Sequence, residues 1–135
     1  MSLAVTATKL VVRNADAAEL FYLAIGFKLV SRNLGGEAEV RQKQSWLSAS
    51  GDMSTHVIIL SQFVELPPPR AVAYPGEAWL AMHVADVDAT CGTVAKAGGK
   101  VIRAGQDRPE HSVRAAVVAD PEGHIIELIG PMLGR

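Results

Sequence analysis

The amino-acid sequence predicts an α+β fold made of two tandem βαβββ modules. Internal repetition is the first sign: residues 12–30 match residues 84–102 at a constant offset of 72 positions, and HVIILSQ (56–62) matches HIIELIG (124–130). Composition is the second, because a chain of 135 residues that is 49% hydrophobic and 20% charged is typical of one globular domain. The chain is therefore predicted to be a duplication whose copies fold together.

The first copy is predicted to span about residues 5–62, with one helix and four strands. The helix is placed at 15–25, because Asn14 suits a helix N-cap and Gly26 suits the left-handed residue that ends a helix. Apolar runs and alternation predict the strands, which are placed at 6–12, 27–33, 38–48 and 55–62.

The second copy repeats this order over about residues 78–131. Asp86 caps a helix at 87–97 that Gly98 ends, and strands are placed at 78–84, 100–104, 112–119 and 124–130. The linker, about 63–77, contains three consecutive prolines that cannot continue a sheet ladder. Because about 60 residues with one helix barely bury a core, we expect one domain rather than two.

Charge and cysteine content exclude several classes of protein. The 13 Lys+Arg and 14 Asp+Glu residues are scattered, so neither a nucleic acid nor a membrane surface is an expected partner. The longest apolar runs are far shorter than the ~20 residues needed to span a bilayer. Cys91 is the only cysteine and no signal-peptide pattern is present, so we expect a cytoplasmic protein.

The segment DPEGHIIELIG (120–130) contains the most informative acid. After a predicted turn, Glu127 shares a strand face with Ile125 and Ile129, and this face should be buried. A buried carboxylate is costly unless it is paired or used. Glu127 is therefore a candidate general acid or base, a ligand anchor, or the partner of Arg114 on the preceding strand, and Arg114 can equally clamp a substrate carboxylate.

The two βαβββ modules, the segment FYLAIGFKLV after the first strand, and DPEGHIIEL near the end resemble the vicinal oxygen chelate superfamily. That superfamily includes glyoxalase I, bleomycin-resistance proteins and extradiol dioxygenases, and the closest likeness is to its glyoxalase-like and PhnB-like branches. The resemblance covers essentially the whole chain. It implies a curved, barrel-like mixed sheet with the helices outside, a cup-shaped ligand cavity and a homodimer.

The resemblance also locates the metal site of metal-dependent members. Their ligands come from the first and last strands of each module, and the equivalent positions here are Ala7, Ile59, Trp79 and Glu127. Only Glu127 offers a donor atom, whereas catalytic metal sites generally use about three protein ligands. We therefore expect the usual metal site to be lost and no cofactor to be needed, with a rearranged set that includes His83 as the alternative.

Two tryptophans and one histidine complete the candidate site. Trp79 and His83 share a strand face that, by the resemblance, lines the cup, where His83 would carry a proton or donate a hydrogen bond. Trp46 and Trp79 suggest stacking on a planar or apolar ligand, although core filling is the alternative. His56 and His124 occupy the same place in the two copies and are expected to be structural, and His111 is assigned to a polar loop.

The predicted function is binding of a small, partly aromatic or apolar molecule in the manner of glyoxalase/bleomycin-resistance-like proteins. The candidate residues are Glu127 and His83 as catalytic groups and Trp46, Trp79 and Arg114 as binding groups. The alternative is a lyase, isomerase or dioxygenase of the same superfamily that uses Glu127 as a base or metal ligand.

Overall fold

The βαβββ order occurs twice in the structure, a computed structural model that describes residues 2–37, 40–69 and 76–134. The first unit, Met1–Ala71, contains β1 Ala7–Val11, α1 Ala15–Ala24, β2 Lys28–Gly35, β3 Gln42–Ser48 and β4 Val57–Phe63. The second unit, Val72–Arg135, contains β5 Leu80–His83, α2 Val87–Lys96, β6 Lys100–Arg108, a 3-10 turn Pro109–His111, β7 Val113–Ala119 and β8 Ile125–Gly130.

Each unit has its own four-stranded mixed sheet, with strand order β1-β4-β3-β2 in the first and β5-β8-β7-β6 in the second. The first strand of each module lies parallel to the last, and the other neighbours are antiparallel. The predicted α+β class and the two modules are confirmed. In the described part of the chain every strand pairs within its own module, so the strands form two four-stranded mixed sheets that are not closed.

Both helices begin at the predicted residue and end one residue before the predicted end, at Ala24 and Lys96. The Asn14 side chain accepts a hydrogen bond from the Ala17 N–H at 3.0 Å, and Asp86 caps α2 in the same way. Gly26 and Gly98 follow the two helices with φ of +121° and +97°, a conformation that favours glycine. Neither helix in the described ranges is long and apolar enough to cross a membrane.

Two sequence predictions fall partly outside the described residues. The strand placed at 38–48 is observed from Gln42, and positions 38 and 39 lie outside the described part. Positions 70–75 of the predicted linker also lie outside it, while β4 extends into the linker's first residue, Phe63.

In each module the helix packs on one face of the sheet. Helix α1 contacts β3 and β4, and α2 contacts β6, β7 and β8. Apolar side chains at these contacts are buried, among them Phe21, Tyr22, Leu47, Leu60, Val94, Val118, Ile126 and Leu128. Burial of this surface stabilises each module by the hydrophobic effect.

The duplication preserves an ion pair between the first turn of the helix and the third strand. Asp16 on α1 pairs with Lys43 at 2.8 Å, and Asp88, at the equivalent position of α2, pairs with Arg114 at 3.1 Å. This places Arg114 on the helix-packed face of the second sheet.

The first module also has a polar group inside its helix-to-sheet contact. Glu19 on α1 is 6% exposed and accepts hydrogen bonds from two nitrogens of Arg32, at 2.9 and 2.8 Å, and from Ser45 at 2.7 Å. The hydrogen bond from Arg32 lowers the pKa of Glu19 below its usual value of 4.5. The corresponding position of α2 is Cys91, so this polar cluster is confined to one copy.

Candidate functional site

A cavity of about 700 Å³ lies on the face of the second sheet opposite α2. Its floor comes from β7 and β8, where the antiparallel register places Val117 beside Glu127 and Ala115 beside Ile129. Side chains that alternate along these strands therefore point to one face. The apolar part of the lining consists of Ile102, Val113, Ala115, Ala116, Val117, Ile125 and Ile129.

Glu127 lies on this floor together with Ile125 and Ile129, as their spacing of two residues along the strand predicts. Its side chain is half-buried. With the residues that the structure describes it forms no hydrogen bond and no ion pair, although seven apolar residues share the cavity with it. The carboxylate is therefore available to a bound molecule.

Arg114 does not pair with Glu127, which corrects one of the two predictions made for it. Its neighbour across the ladder is Gly130, so its side chain points to the α2 face, where the guanidinium bonds Asp88 and Asp107. Arg114 is also absent from the described lining of the cavity, so the alternative placement as a cavity arginine is wrong as well. The physical reason is strand alternation, which separates residues 114 and 127 onto opposite faces.

Asp107 links Arg114 to the end of the chain. Its carboxylate accepts hydrogen bonds from the N–H groups of Leu133 and Gly134 at 3.1 and 3.0 Å. The bond from Gly134, followed by those from Leu133 and Arg114, holds the pKa of Asp107 below its usual value. The Arg114 cluster, made of Arg114, Asp88 and Asp107, therefore has a structural role: it connects α2 and β7 to the end of β6.

Trp79 lines the cavity immediately before β5. Its side chain is 54% exposed, and the indole N–H donates a hydrogen bond to Glu77 at 3.1 Å. Glu127 lies beside Ala81 on the adjacent strand, two residues from Trp79. The partly exposed indole therefore lies where a planar group bound in the cavity can contact it.

His83 and Trp46 lie outside the described lining of this cavity. His83 ends β5 beside Ile129 and is exposed. Trp46 belongs to the first unit, where it lies beside Ile59 on β3 and its indole N–H donates to Gln44 at 3.0 Å. Of the five residues predicted for the site, the structure brings Trp79 and Glu127 together here.

Sequence reasoning missed one side of the lining, which is formed by Ile102, Arg103, Arg108, Glu110 and His111. All come from β6 or the 3-10 turn that follows it. The ladder between β6 and β7 shifts register twice, between Val101 and Arg103 and between Arg103 and Gln106. Such bulges break the period of two by which a strand face is identified in sequence. The one sequence signal for this part of the lining was Pro109 and the polar run around it, which indicate the turn after β6.

The two matching histidines have structural surroundings. The buried Asp120 accepts hydrogen bonds from the N–H groups of Glu122 and His124, both at 2.9 Å, and its other oxygen lies 2.7 Å from His124 Nδ1. His56, at the equivalent place, is hydrogen-bonded to Thr8 at 2.7 Å. Both histidines fix the start of the last strand of their module.

The family metal site can be tested against the residues present. Ala7 and Ile59 carry no donor atom, and the Trp79 indole is a hydrogen-bond donor rather than a metal ligand. No group of three His, Cys, Asp or Glu side chains in the described ranges is arranged to hold a metal ion. The residues at these positions do not fit a divalent metal, which generally needs about three protein ligands.

Comparisons with known proteins agree on the family and the fold. The model of the Glyoxalase/Bleomycin resistance protein/Dioxygenase superfamily matches residues 4–128. A comparison with curated protein sequences found no significant match.

Solved structures cover nearly the whole chain. A glyoxalase family protein from Bacillus cereus superposes with a TM-score of 0.76 at 23% identity, over 96% of this chain and 95% of that one. The trypanothione-dependent glyoxalase I of Leishmania major superposes with a TM-score of 0.72 at 22% identity, over 96% of this chain and 87% of that one. TioX from Micromonospora sp. ML1 superposes with a TM-score of 0.65 at 21% identity, over 96% of this chain and 99% of that one. At these identities the likeness establishes a shared fold.

Proposed function

Because this chain belongs to the glyoxalase/bleomycin resistance protein/dioxygenase superfamily, we propose that it binds a small, partly aromatic or apolar molecule in the cavity of its second module. The ligand is held without the metal ion that metal-dependent members use. The proposed ligand is a small molecule, and neither a nucleic acid nor a membrane surface is proposed as a partner.

The observation that carries this proposal is the character of the cavity. Its volume of about 700 Å³ lies within the range of roughly 300–1,000 Å³ that is usual for small-molecule sites. Seven apolar residues form most of the lining, so an apolar ligand body loses contact with water when it enters. The partly exposed Trp79 ring supplies a flat surface on which a planar group can stack.

Glu127 fixes how such a ligand is oriented. A half-buried carboxylate on an apolar floor has lost part of its hydration, and no described residue replaces it with a hydrogen bond. A ligand hydroxyl, amine or amide N–H that reaches Glu127 therefore gains a charge-assisted hydrogen bond.

The same carboxylate favours a second candidate function, an enzyme of the lyase or isomerase type in which Glu127 removes a proton from the bound molecule. An unpaired carboxylate inside a cavity is free to accept a proton. His83 does not line the cavity, so Glu127 is the group to test first.

The two functions separate in one titration of the purified full-length protein. A panel of planar apolar compounds is added while tryptophan fluorescence is recorded, and each compound is recovered and analysed. Binding alone predicts quenching, unchanged compound and no effect of a chelator, with weaker binding after Trp79→Ala. Conversion that persists in chelator and is lost in Glu127→Gln would favour the enzyme.

A metal requirement would contradict the proposal. It would appear as about one divalent ion per chain after reloading with nickel, zinc, manganese or iron, lost in Glu127→Ala and needed for binding. The matched control is Glu122→Gln, a carboxylate on the turn before β8 that does not line the cavity.

We also propose that the protein is a cytoplasmic homodimer. In the described structure each sheet ends in strands with an unpaired edge, β1 and β2 in one and β5 and β6 in the other, and exposed strand edges tend to be covered. Cys91 is the only cysteine in the sequence, so the chain has no intrachain disulfide, which is usual for proteins of a reducing compartment.

A further inference from the structure

One edge of the cavity is basic. Arg103 and Arg108 both line it from β6, with Arg103 exposed and Arg108 half-buried. Neither arginine forms an ion pair with any residue that the structure describes, in contrast to Arg32 and Arg114, which are both bound to carboxylates. Two arginines without an ion-pair partner among the described residues therefore line the same cavity.

The two irregularities in β6 explain why these residues reach the cavity. In a regular strand consecutive residues point to opposite faces, yet the neighbours Ile102 and Arg103 both line the cavity. A bulge inserts an extra residue into one strand and redirects the side chains around it. The register shifts on either side of Arg103 are the positions where this happens.

The second shift lies next to the Arg114 cluster. A Cβ atom on Gly105 would lie 2.5 Å from Asp88 Oδ1 and 2.9 Å from Arg114 Nε, so the backbone of β6 runs directly against that ion pair. Arg114 thereby acts as a positioning residue for the bulged segment and not as a ligand contact. Only glycine fits this close approach without displacement.

The carboxylates of the lining do not neutralise this edge. Arg103 lies beside Val117, and Val117 lies beside Glu127, so two strand spacings separate the arginine from the floor carboxylate. At about 4.8 Å per spacing their Cα atoms are roughly 10 Å apart. Glu110 is exposed in the turn after β6 and forms no ion pair with a described residue, and His111 beside it can donate a hydrogen bond.

We propose that the ligand is an acid with an apolar or aromatic body, and that Arg103 and Arg108 bind its oxyanion at the β6 edge of the cavity. The inference rests on the proposed function and names the ligand class of that site. Guanidinium groups bind planar and tetrahedral oxyanions through paired hydrogen bonds. The apolar body then lies over Ala115 and Val117, and its far end approaches Glu127.

The test uses full-length ¹⁵N-labelled protein and three probes of one size: benzoate, phenylphosphonate and the neutral benzamide. Amide shifts of β6 to β8 report binding in the cavity, and calorimetry gives each Kd. The variants are Arg103→Gln and Arg108→Gln. The control is Lys100→Gln, which removes an equal charge from an exposed position of the same strand outside the cavity. Thermal unfolding shows whether each variant is folded.

We expect at least one of the two acids to bind about tenfold or more tightly than benzamide. The neutral benzamide lacks the charged hydrogen bond that an acid forms with an arginine, and a bond of this kind is worth about that factor. Each arginine variant should bring the affinity for that acid toward that for benzamide, while Lys100→Gln stays within about twofold of the wild type. The tighter acid identifies whether a carboxylate or a tetrahedral oxyanion fits better.

Equal binding of all three probes in the cavity would overturn this inference and leave the proposed function standing. Arginine variants that fold and behave like Lys100→Gln would overturn it as well. If no probe shifts the cavity resonances at millimolar concentration, the proposed function itself is contradicted, and the inference fails with it.

Discussion

Gly105→Ala is expected to destabilise the second module through a steric clash that the structure locates. The new Cβ would lie 2.5 Å from Asp88 Oδ1, 2.9 Å from Arg114 Nε and 3.2 Å from Arg114 Nη2, whereas carbon contacts are favourable at about 3.5–4.0 Å. Asp88 is 47% exposed and can turn away, but Arg114 is 15% exposed and is held by Asp107 on its other side. The strand must therefore move.

Overpacking of this kind typically costs about 1–3 kcal/mol. In a chain of this size each kcal/mol lowers Tm by roughly 3–5 °C. Urea unfolding followed by circular dichroism measures the loss of stability. Because the displaced segment includes Arg103, the affinity for the tighter-binding acid should fall in the same variant.

Gly92→Ala is the matched control within the same unit. Gly92 lies inside α2, and a Cβ there would meet no atom within 4 Å. Alanine in a helix interior is more stable than glycine by about 0.5–1 kcal/mol, so this variant should be stabilised. The reasoning is refuted if Gly105→Ala is as stable as the wild type while Gly92→Ala behaves as expected.

Two further predictions concern stability against pH and assembly. Because the pKa of Glu19 is lowered by Arg32, its contribution to stability is complete above pH 4.5 and is lost as the pH falls through the lowered pKa. Glu19→Gln should therefore make the loss of stability below pH 4.5 shallower in urea titrations, and an unchanged slope would contradict this. Light scattering after size exclusion should give twice the chain mass of 14.3 kDa, and a monomer at micromolar concentration would exclude the homodimer.

Local signals were sufficient for the order and the ends of most elements. Asn14 and Asp86 cap the helices as predicted, since a capping side chain acts on N–H groups within its own turn. Gly26 and Gly98 adopt the positive φ that ends each helix. The alternation around Glu127 also placed that carboxylate on the correct face of β8, because a regular strand has a fixed period of two.

The predicted site was less complete because β6 is irregular. Its bulges put Ile102 and Arg103 on one face, and the strand continues to Arg108, four residues beyond the predicted end. The Pro109–His111 turn then places His111 beside the cavity, although in sequence it belongs to a polar loop. None of these effects leaves a periodic pattern in the sequence.

The sequence by itself determined the duplication, the capped helices, the face that carries Glu127 and the poor fit of the metal-ligand positions, because each depends on residue type or on spacing within one element. Only the tertiary structure decided that Arg114 faces α2 and that Arg103 and Arg108 face the cavity. Both faces of β7 are largely apolar in sequence, and a one-residue change in pairing register reverses every side chain on a strand. That register is fixed by packing against α2 and β8.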